Sequence, residues 1–313
     1  MGEEARFPST EIHANRPGMS LAVTLVAADA STLPAAIEVA EITIARMGLA
    51  TGAPDLLGPN AADLTVASDL RDLVRERLEA ALSGRAVDVC VQPAEGRRKR
   101  LLIADMDSTI IGCECIDELA DFAGVKDQVA EITERAMRGE LAFDGALRER
   151  VAMLKGLGLD KLQACFDDRV RLNAGAETLV KTMAAHGARC VLVSGGFTFF
   201  TSRVMAAAGF HANRANSLGD DGAVLTGTVG EPILGREAKL TALREETAAL
   251  GLTPAEALAV GDGANDLAMI EVAGLGVAYR AKPVVAEKAH ARVDHADLTA
   301  LLYFQGYRAE DFA

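Results

Sequence analysis

Apolar and polar positions along the chain fall into short runs with two different periods. "LAVTLVA" from Leu21 is a continuous aliphatic run, the pattern of a buried strand. "STLPAAIEVAEITIARMG" spaces its apolar residues three and four apart, and predicts a helix entered through a Ser or Thr cap. "AADLTVAS" predicts a second strand, "DLRDLVRERLEAALSG" an amphipathic helix capped by Asp69, and "AVDVCVQP" a third strand, with an additional weak strand around Leu49 to Leu57. The order βα(β)βαβ over residues 19–95 predicts a small α+β domain of ferredoxin-like type.

A polar and basic stretch, "AEGRRKR" at residues 94–100, marks a boundary. Its four cations could contact nucleic acid, but beside an acidic protein they read as a solvated linker. From residue 96 onward, strand and helix patterns alternate: "LLIAD", a helical stretch from about Ile116 to Phe166, "CVLVSGG", "FTFFTSRVMAAAG", and "ALAVGDGAND" with a helix behind it. That alternation predicts an α/β domain with a doubly wound, Rossmann-like parallel sheet. "SLGDDGAVLTGTV" predicts a small hairpin. Residues 1–18 lack periodicity and end in Pro-Gly, so they read as a mobile tail, with Met19 as an alternative start. "LYFQG" at Leu302 to Gly306 looks like part of a protease tag site, yet the chain continues beyond it, and it is taken as native.

Composition narrows the function. The chain has 313 residues, 50% hydrophobic and 25% charged, as in an ordinary globular protein long enough for two domains. A net charge of −13 argues against nucleic-acid or anionic-membrane partners, which need a cationic field. No apolar run approaches the roughly 20 residues of a membrane span, and the N-terminal stretch lacks the basic-then-apolar order of a signal peptide. A cytoplasmic location is the expectation. Cys90, Cys113, Cys115, Cys165 and Cys190 are an odd number without framework spacing and read as reduced thiols. The Cys113-x-Cys115 pair lacks the further ligands that a soft-metal site needs.

The candidate chemistry sits at three strand ends. Asp105 and Asp107 follow "LLIA", Ser194, Gly195 and Gly196 end the next strand, and Asp262, Asn265 and Asp266 end another. Asp-x-Asp alone can also open a turn and cap a helix. Parallel strands in one sheet, however, bring all three ends to the edge where open α/β sheets bind ligands. Asp105 and Asp262 could share a hard cation with room left for water and phosphate, as Mg²⁺ prefers. Ser194 and the N–H groups after it could grip phosphate oxygens. Lys239 could supply a cation, although a lysine on a helix such as "GREAKLTALREE" commonly faces solvent.

"DMDST", "VSGG", a later lysine and "GDGANDLAMI" resemble the four ordered motifs of the haloacid dehalogenase superfamily. "DMDSTIIGCECIDELADFAG", "AFDGALRERVAMLKGL" and "VGDGANDLAMIEVAGLGVAYRAKP" are similar to its phosphoserine phosphatase branch, over about two thirds of the chain, residues 97–310. The resemblance implies Mg²⁺-dependent hydrolysis of O-phospho-L-serine, the last step of L-serine synthesis. Asp105 would be the nucleophile and Asp107 the acid and base. Asp105, the Asp107 carbonyl and Asp262 would hold the metal, with Asp266 acting from behind them. Ser194, Gly195, Lys239 and Asn265 would bind the phosphoryl group. Glu114 would meet the substrate ammonium, Arg150 its carboxylate, and Phe143 would form an apolar wall. These last three lie in a helical cap at about residues 113–172.

The resemblance further implies that the front domain is ACT-like, with a homodimer through it as a possible assembly. Two alternatives stand beside this reading. One is a phosphatase of another small phosphomonoester such as phosphohomoserine; the other is a non-catalytic amino-acid-sensing module.

Overall fold

The computed structural model describes residues 20–137 and 140–313. The expected tail, residues 1–18, lies outside the described residues. Strands β1 (Ser20–Ala27), β2 (Asp55–Gly58), β3 (Ala61–Ala67) and β4 (Val87–Pro93) form a sheet in the order β2-β3-β1-β4, with every pair antiparallel. Helices α1 (Leu33–Arg46) and α2 (Arg71–Ala81) connect β1 to β2 and β3 to β4. This is the ferredoxin-like arrangement that the pattern predicts, with the weak strand settling at Asp55–Gly58.

Helix α1 has the expected Thr, Thr32, at its N-cap position, though without a side-chain cap bond, whereas α2 does not start on Asp69. A short turn, Ala30–Thr32, precedes α1, and Asp29 Oδ1 accepts its opening N–H from Ser31 at 2.8 Å. Helix α2 begins after Leu70 without a side-chain cap; Ser68 Oγ takes the Leu70 N–H at 3.1 Å and turns the chain before Asp69 can act.

The second sheet contains β5 (Leu101–Ala104), β6 (Arg189–Phe197), β7 (Ala212–Asn216), β10 (Ala257–Gly261), β11 (Leu275–Tyr279) and β12 (Ala291–Val293). Strands β8 (Leu218–Asp220) and β9 (Leu225–Val229) form the expected hairpin apart from it. The six strands are all parallel and run β12-β11-β10-β5-β6-β7. The order reverses between β5 and β10, so the crevice at a topological switch point opens above the residues that follow these two strands. β5 is buried on both faces. Leu101 and Ile103 pack into one apolar cluster, Leu102 and Ala104 into another, which explains its uninterrupted hydrophobic sequence.

Between β5 and β6 the long helical stretch divides into α3 (Cys115–Phe122), α4 (Lys126–Met137), α5 (Phe143–Ala152) and α6 (Leu159–Arg169). Helix α7 (Ala176–Ala185) returns the chain to β6, and α8 (Thr198–Ala208) links β6 to β7. Helix α9 (Arg236–Ala249) precedes β10, and α10 (Leu267–Val272) follows it. Among the described residues no helix is long and apolar enough to cross a membrane.

The 94–100 stretch differs from a solvated linker. Arg97 pairs with Asp63 at 2.5 Å, and Lys99 is buried, donating to the carbonyls of Gly96 and Ala255 at 3.0 Å each. Arg97 and Lys99 turn inward because acceptors meet them there, while Arg98 and Arg100 stay exposed as the linker reading expects. The "LYFQG" segment belongs to the same junction. Leu302, Tyr303, Phe304 and Gln305 are buried; Gln305 Oε1 accepts the Lys99 N–H at 3.0 Å, and Gln92 donates to the Phe304 carbonyl at 2.5 Å. Val26, Leu57 and Ala61 pack into one cluster with Leu301 and Leu302, so the front sheet carries α1 and α2 on one face and the chain's own C-terminal segment on the other.

Asp88 on β4 fastens the two sheets further. Its carboxylate accepts the N–H groups of Asp294 at 2.9 Å, His295 at 3.2 Å and Ala296 at 2.8 Å. Asp88→Ala should lower unfolding free energy by about 1–3 kcal/mol, the range for stranding part-buried donors, with Asp88→Asn losing less. Urea denaturation checks this, and an unchanged midpoint in the alanine variant would refute the clamp.

Candidate active site

Asp105 continues β5 by donating its N–H to Val260 at 3.0 Å, which sets its side chain at the switch point beside β10. The chain then turns sharply. Asp107 is extended (φ −66°, ψ 137°), and Ser108 adopts a left-handed φ of 56°, strained for a residue other than glycine. The turn is held by the Ile111 N–H on the Met106 carbonyl at 3.0 Å and by Ser108 Oγ donating to Glu114 at 2.6 Å.

Asp107 is gripped from two sides. The Cys115 N–H, at the start of α3, donates to Oδ1 at 3.0 Å, and Ser194 Oγ donates to Oδ2 at 3.2 Å. Ser194 Oγ also accepts the Gly196 N–H at 2.8 Å, closing a tight turn at the end of β6. Only glycine fits at 196, since a Cβ there would come within 2.9 Å of the Asp107 carboxylate and 3.0 Å of Ser194 Oγ.

Lys239 reaches in from α9 and is 2% exposed, not solvent-facing. Its ammonium donates to Asp105 at 2.5 Å and to Asp266 at 2.6 Å. The second oxygen of Asp266 accepts the Gly263 N–H at 3.0 Å, so this carboxylate is fully engaged in buttressing the lysine. Asp262 stands beside them, with Thr109 Oγ1 at 3.5 Å.

Four carboxylates and one ammonium share this crevice, and the imbalance appears in their proton affinities. Burial, then the neighbouring Asp266 and Asp107, hold Asp105 well above the usual carboxylate range against the pull of Lys239. Burial and Glu114 push Asp107 up to about 6; burial, Asp266 and Glu114 push Asp262 up to about 6. Burial works against the charge on Lys239, but Asp105 and Asp266 outweigh it and keep its pKa above the ordinary value. Ligand oxygens of Asp105, Asp262 and Asp266 lie within 4.8 Å of one another. An all-oxygen, net-negative cluster of this kind fits a hard divalent cation.

The three residues expected to meet the amino acid approach the same crevice. Phe143 opens α5, and its ring lies over two glycines: a Cβ on Gly195 or Gly235 would sit 3.4 Å from it. Arg150, in the last turn of α5, is half-buried and bonded to the Ala146 carbonyl at 3.3 Å. Burial works against its charge, and Asp117 and Glu114 support it. Glu114 itself is exposed, standing where the chain leaves the Asp105–Ser108 turn for α3. Asn265 folds over Gly263, where a Cβ would fall 2.3 Å from its Oδ1. Sequence reasoning missed Ser108, Thr109, Asp117 and Asn216. The first two lie inside the "DMDST" stretch, while Asp117 and Asn216 carry no local signal.

Residues 102–271 match the family described as haloacid dehalogenase-like hydrolase. The chain is similar to a phosphoserine phosphatase of a Polaromonas species, 44% identical over 224 residues, covering 70% of this chain and 95% of the relative. A hydrolase of the same family from Salmonella enterica has a solved structure with a TM-score of 0.79 and 30% identity, covering 91% of this chain and 98% of the other. The unliganded structure of a probable phosphoserine phosphatase from Vibrio cholerae gives 0.75 at 32% identity, covering 92% and 86%.

Lys239→Met should strand the carboxylates of Asp105 and Asp266. In metal-free buffer near pH 8 the loss should be about 3–5 kcal/mol, as for breaking a buried ion pair. Without the ammonium the folded-state pKa of Asp105 rises further above its unfolded value. Stability is therefore retained at acid pH and lost as pH rises through the folded pKa. Thermal melts at pH 5.5 and 8 test this; an equal deficit at both would contradict the assignment.

Proposed function

The chain belongs to the haloacid dehalogenase-like hydrolases, and from that membership we propose that it hydrolyses O-phospho-L-serine to L-serine and phosphate, the last step of L-serine synthesis. It is a phosphatase. The observation that carries the mechanism is the Asp105 carboxylate, held by Lys239 at 2.5 Å in a crevice that also presents Asp107 and Ser194.

In this reading Asp105 attacks phosphorus in line, forming an aspartyl-phosphate as the serine oxygen departs. Asp107 carries the proton that the departing oxygen takes. A pKa raised to about 6 suits that task, because a carboxyl of ordinary acidity would seldom hold a proton near neutrality. The same carboxylate then accepts a proton from the water that attacks the aspartyl-phosphate. Ser194, the Gly195 N–H and Lys239 bind the phosphoryl oxygens, and Asn265 orients the group. Phosphoryl transfer depends mostly on such positioning and charge stabilisation.

Asp105, the Asp107 carbonyl and Asp262 would hold Mg²⁺, which when bound offsets phosphoryl charge. Asp266 acts by fixing Lys239. Recognition of the amino acid falls to the cap: Arg150 makes a forked pair with the carboxylate, Glu114 meets the ammonium, and Phe143 closes over the small carbon skeleton. The phosphoserine is a small molecule that a closed cap can screen from water until the covalent step is complete.

A cytoplasmic location is part of the proposal, in keeping with five free cysteines. A homodimer through the front domain would have to use its helices or strand edges, since both faces of that sheet are covered.

Phosphate release across a panel of monoesters tests the substrate. Phosphoserine should be preferred, and excess chelator should silence the enzyme. Arg150→Ala should lose roughly 2–5 kcal/mol in kcat/KM for phosphoserine while leaving the poor hydrolysis of phosphoethanolamine, which has no carboxylate, nearly unchanged. Uniform losses across the panel would overturn the recognition roles.

A further inference from the structure

Beyond the residues already given roles, we infer that Asn216, at the end of β7, is a positioning residue that sets the phosphate-binding turn and the seat of the cap together. The inference rests on the phosphatase reading above.

It begins with a break in the sheet. β6 pairs with β7 through Val191–Ala212, Leu192–Asn213 and Val193–Arg214, and the register then shifts so that Phe197 pairs with Asn216. Residues 194–196 leave the ladder to form the turn of Ser194. The Gly195 carbonyl would then need another partner. The Asn216 amide supplies it: Nδ2 donates to the Gly195 carbonyl at 2.9 Å. The same side chain reads the opposite wall, with Oδ1 accepting the Leu234 N–H at 2.7 Å and Nδ2 at 3.3 Å from the Leu234 carbonyl. Asn216 is 2% exposed, so these bonds do not compete with water.

Leu234 leads directly into Gly235 and α9, which carries Lys239. One buried amide therefore spaces the turn that offers the Gly195 N–H from the segment that delivers the lysine. Gly195 and Gly235 are also the two glycines under the Phe143 ring. Moving either wall changes the phosphate cradle and the surface on which the cap closes.

Two variants in the full-length chain separate this role from packing. Asn216→Ala removes all three bonds. Asn216→Asp keeps the shape and the acceptor for Leu234 but sets a carboxylate oxygen against the Gly195 carbonyl. Both should lower kcat/KM by about 100-fold for phosphoserine and phosphoethanolamine alike, the scale of a small misplacement of reacting groups. Inhibition by inorganic phosphate should weaken by about 10-fold. Thermal melts give the folded fraction at assay temperature, so activity is compared per folded molecule.

If Asn216→Ala does not fold, the isosteric aspartate variant decides. Near-wild-type kcat/KM and phosphate inhibition in Asn216→Asp would overturn the inference, as would an alanine variant with a lower melting temperature but unchanged activity per folded molecule. A wild-type protein that releases no phosphate from any monoester would instead remove the phosphatase reading.

Discussion

The Lys239 ammonium, buried between Asp105 and Asp266, is the interaction on which the rest of the site depends. A charge taken so far from water is tolerable only if it is paired and hydrogen-bonded. Its two carboxylates come from the end of β5 and the start of α10, and the lysine comes from α9. Three segments far apart in sequence must therefore meet within hydrogen-bond distance for the lysine to keep its charge. Asp107 and Asp262 are both pushed up to about 6, chiefly by burial and then by neighbouring carboxylates. That excess of buried negative charge is of the kind a hard divalent cation would offset.

How much of this was legible in the sequence follows from the range of each interaction. β5 could be read from four apolar residues because it is covered on both faces, and the carboxylates after it because parallel strands bring their ends together. Lys239 could be read only by resemblance, since its helix sequence is that of a solvent-facing lysine and its partners lie 134 and 27 residues away. The 94–100 stretch misleads for the same reason: Lys99 is satisfied by Ala255, 156 residues on, and Arg97 by Asp63, 34 residues back. Asp69 fails as a cap for a local reason, that Ser68 turns the chain first. Asn216 leaves no trace because its role arises from a register shift between two strands.

The front domain is joined to the catalytic sheet by more than a connecting segment. Asp88, Gln92 and Lys99 each reach across to the C-terminal stretch 294–305, whose apolar residues fill the sheet's second face. That stretch also touches the base of the cap, where the Leu298 N–H donates to the Ala174 carbonyl at 3.1 Å and Asn173 Nδ2 donates to the Thr109 carbonyl at 2.8 Å. The turn after β5, the segment at 173–174 and the front sheet are thus linked through the C-terminal stretch by these hydrogen bonds.

The central claim is that Asp105, and no other carboxylate of the four, carries the phosphoryl group. Acid-quenching the enzyme during turnover of phosphoserine, reducing the trapped acyl phosphate with borohydride and mapping the peptides by mass spectrometry tests it directly. The account predicts homoserine in place of Asp105 alone, with the other three carboxylates unmodified. Homoserine in place of Asp107 or Asp262, or turnover with no trapped adduct at any quench time, would contradict it.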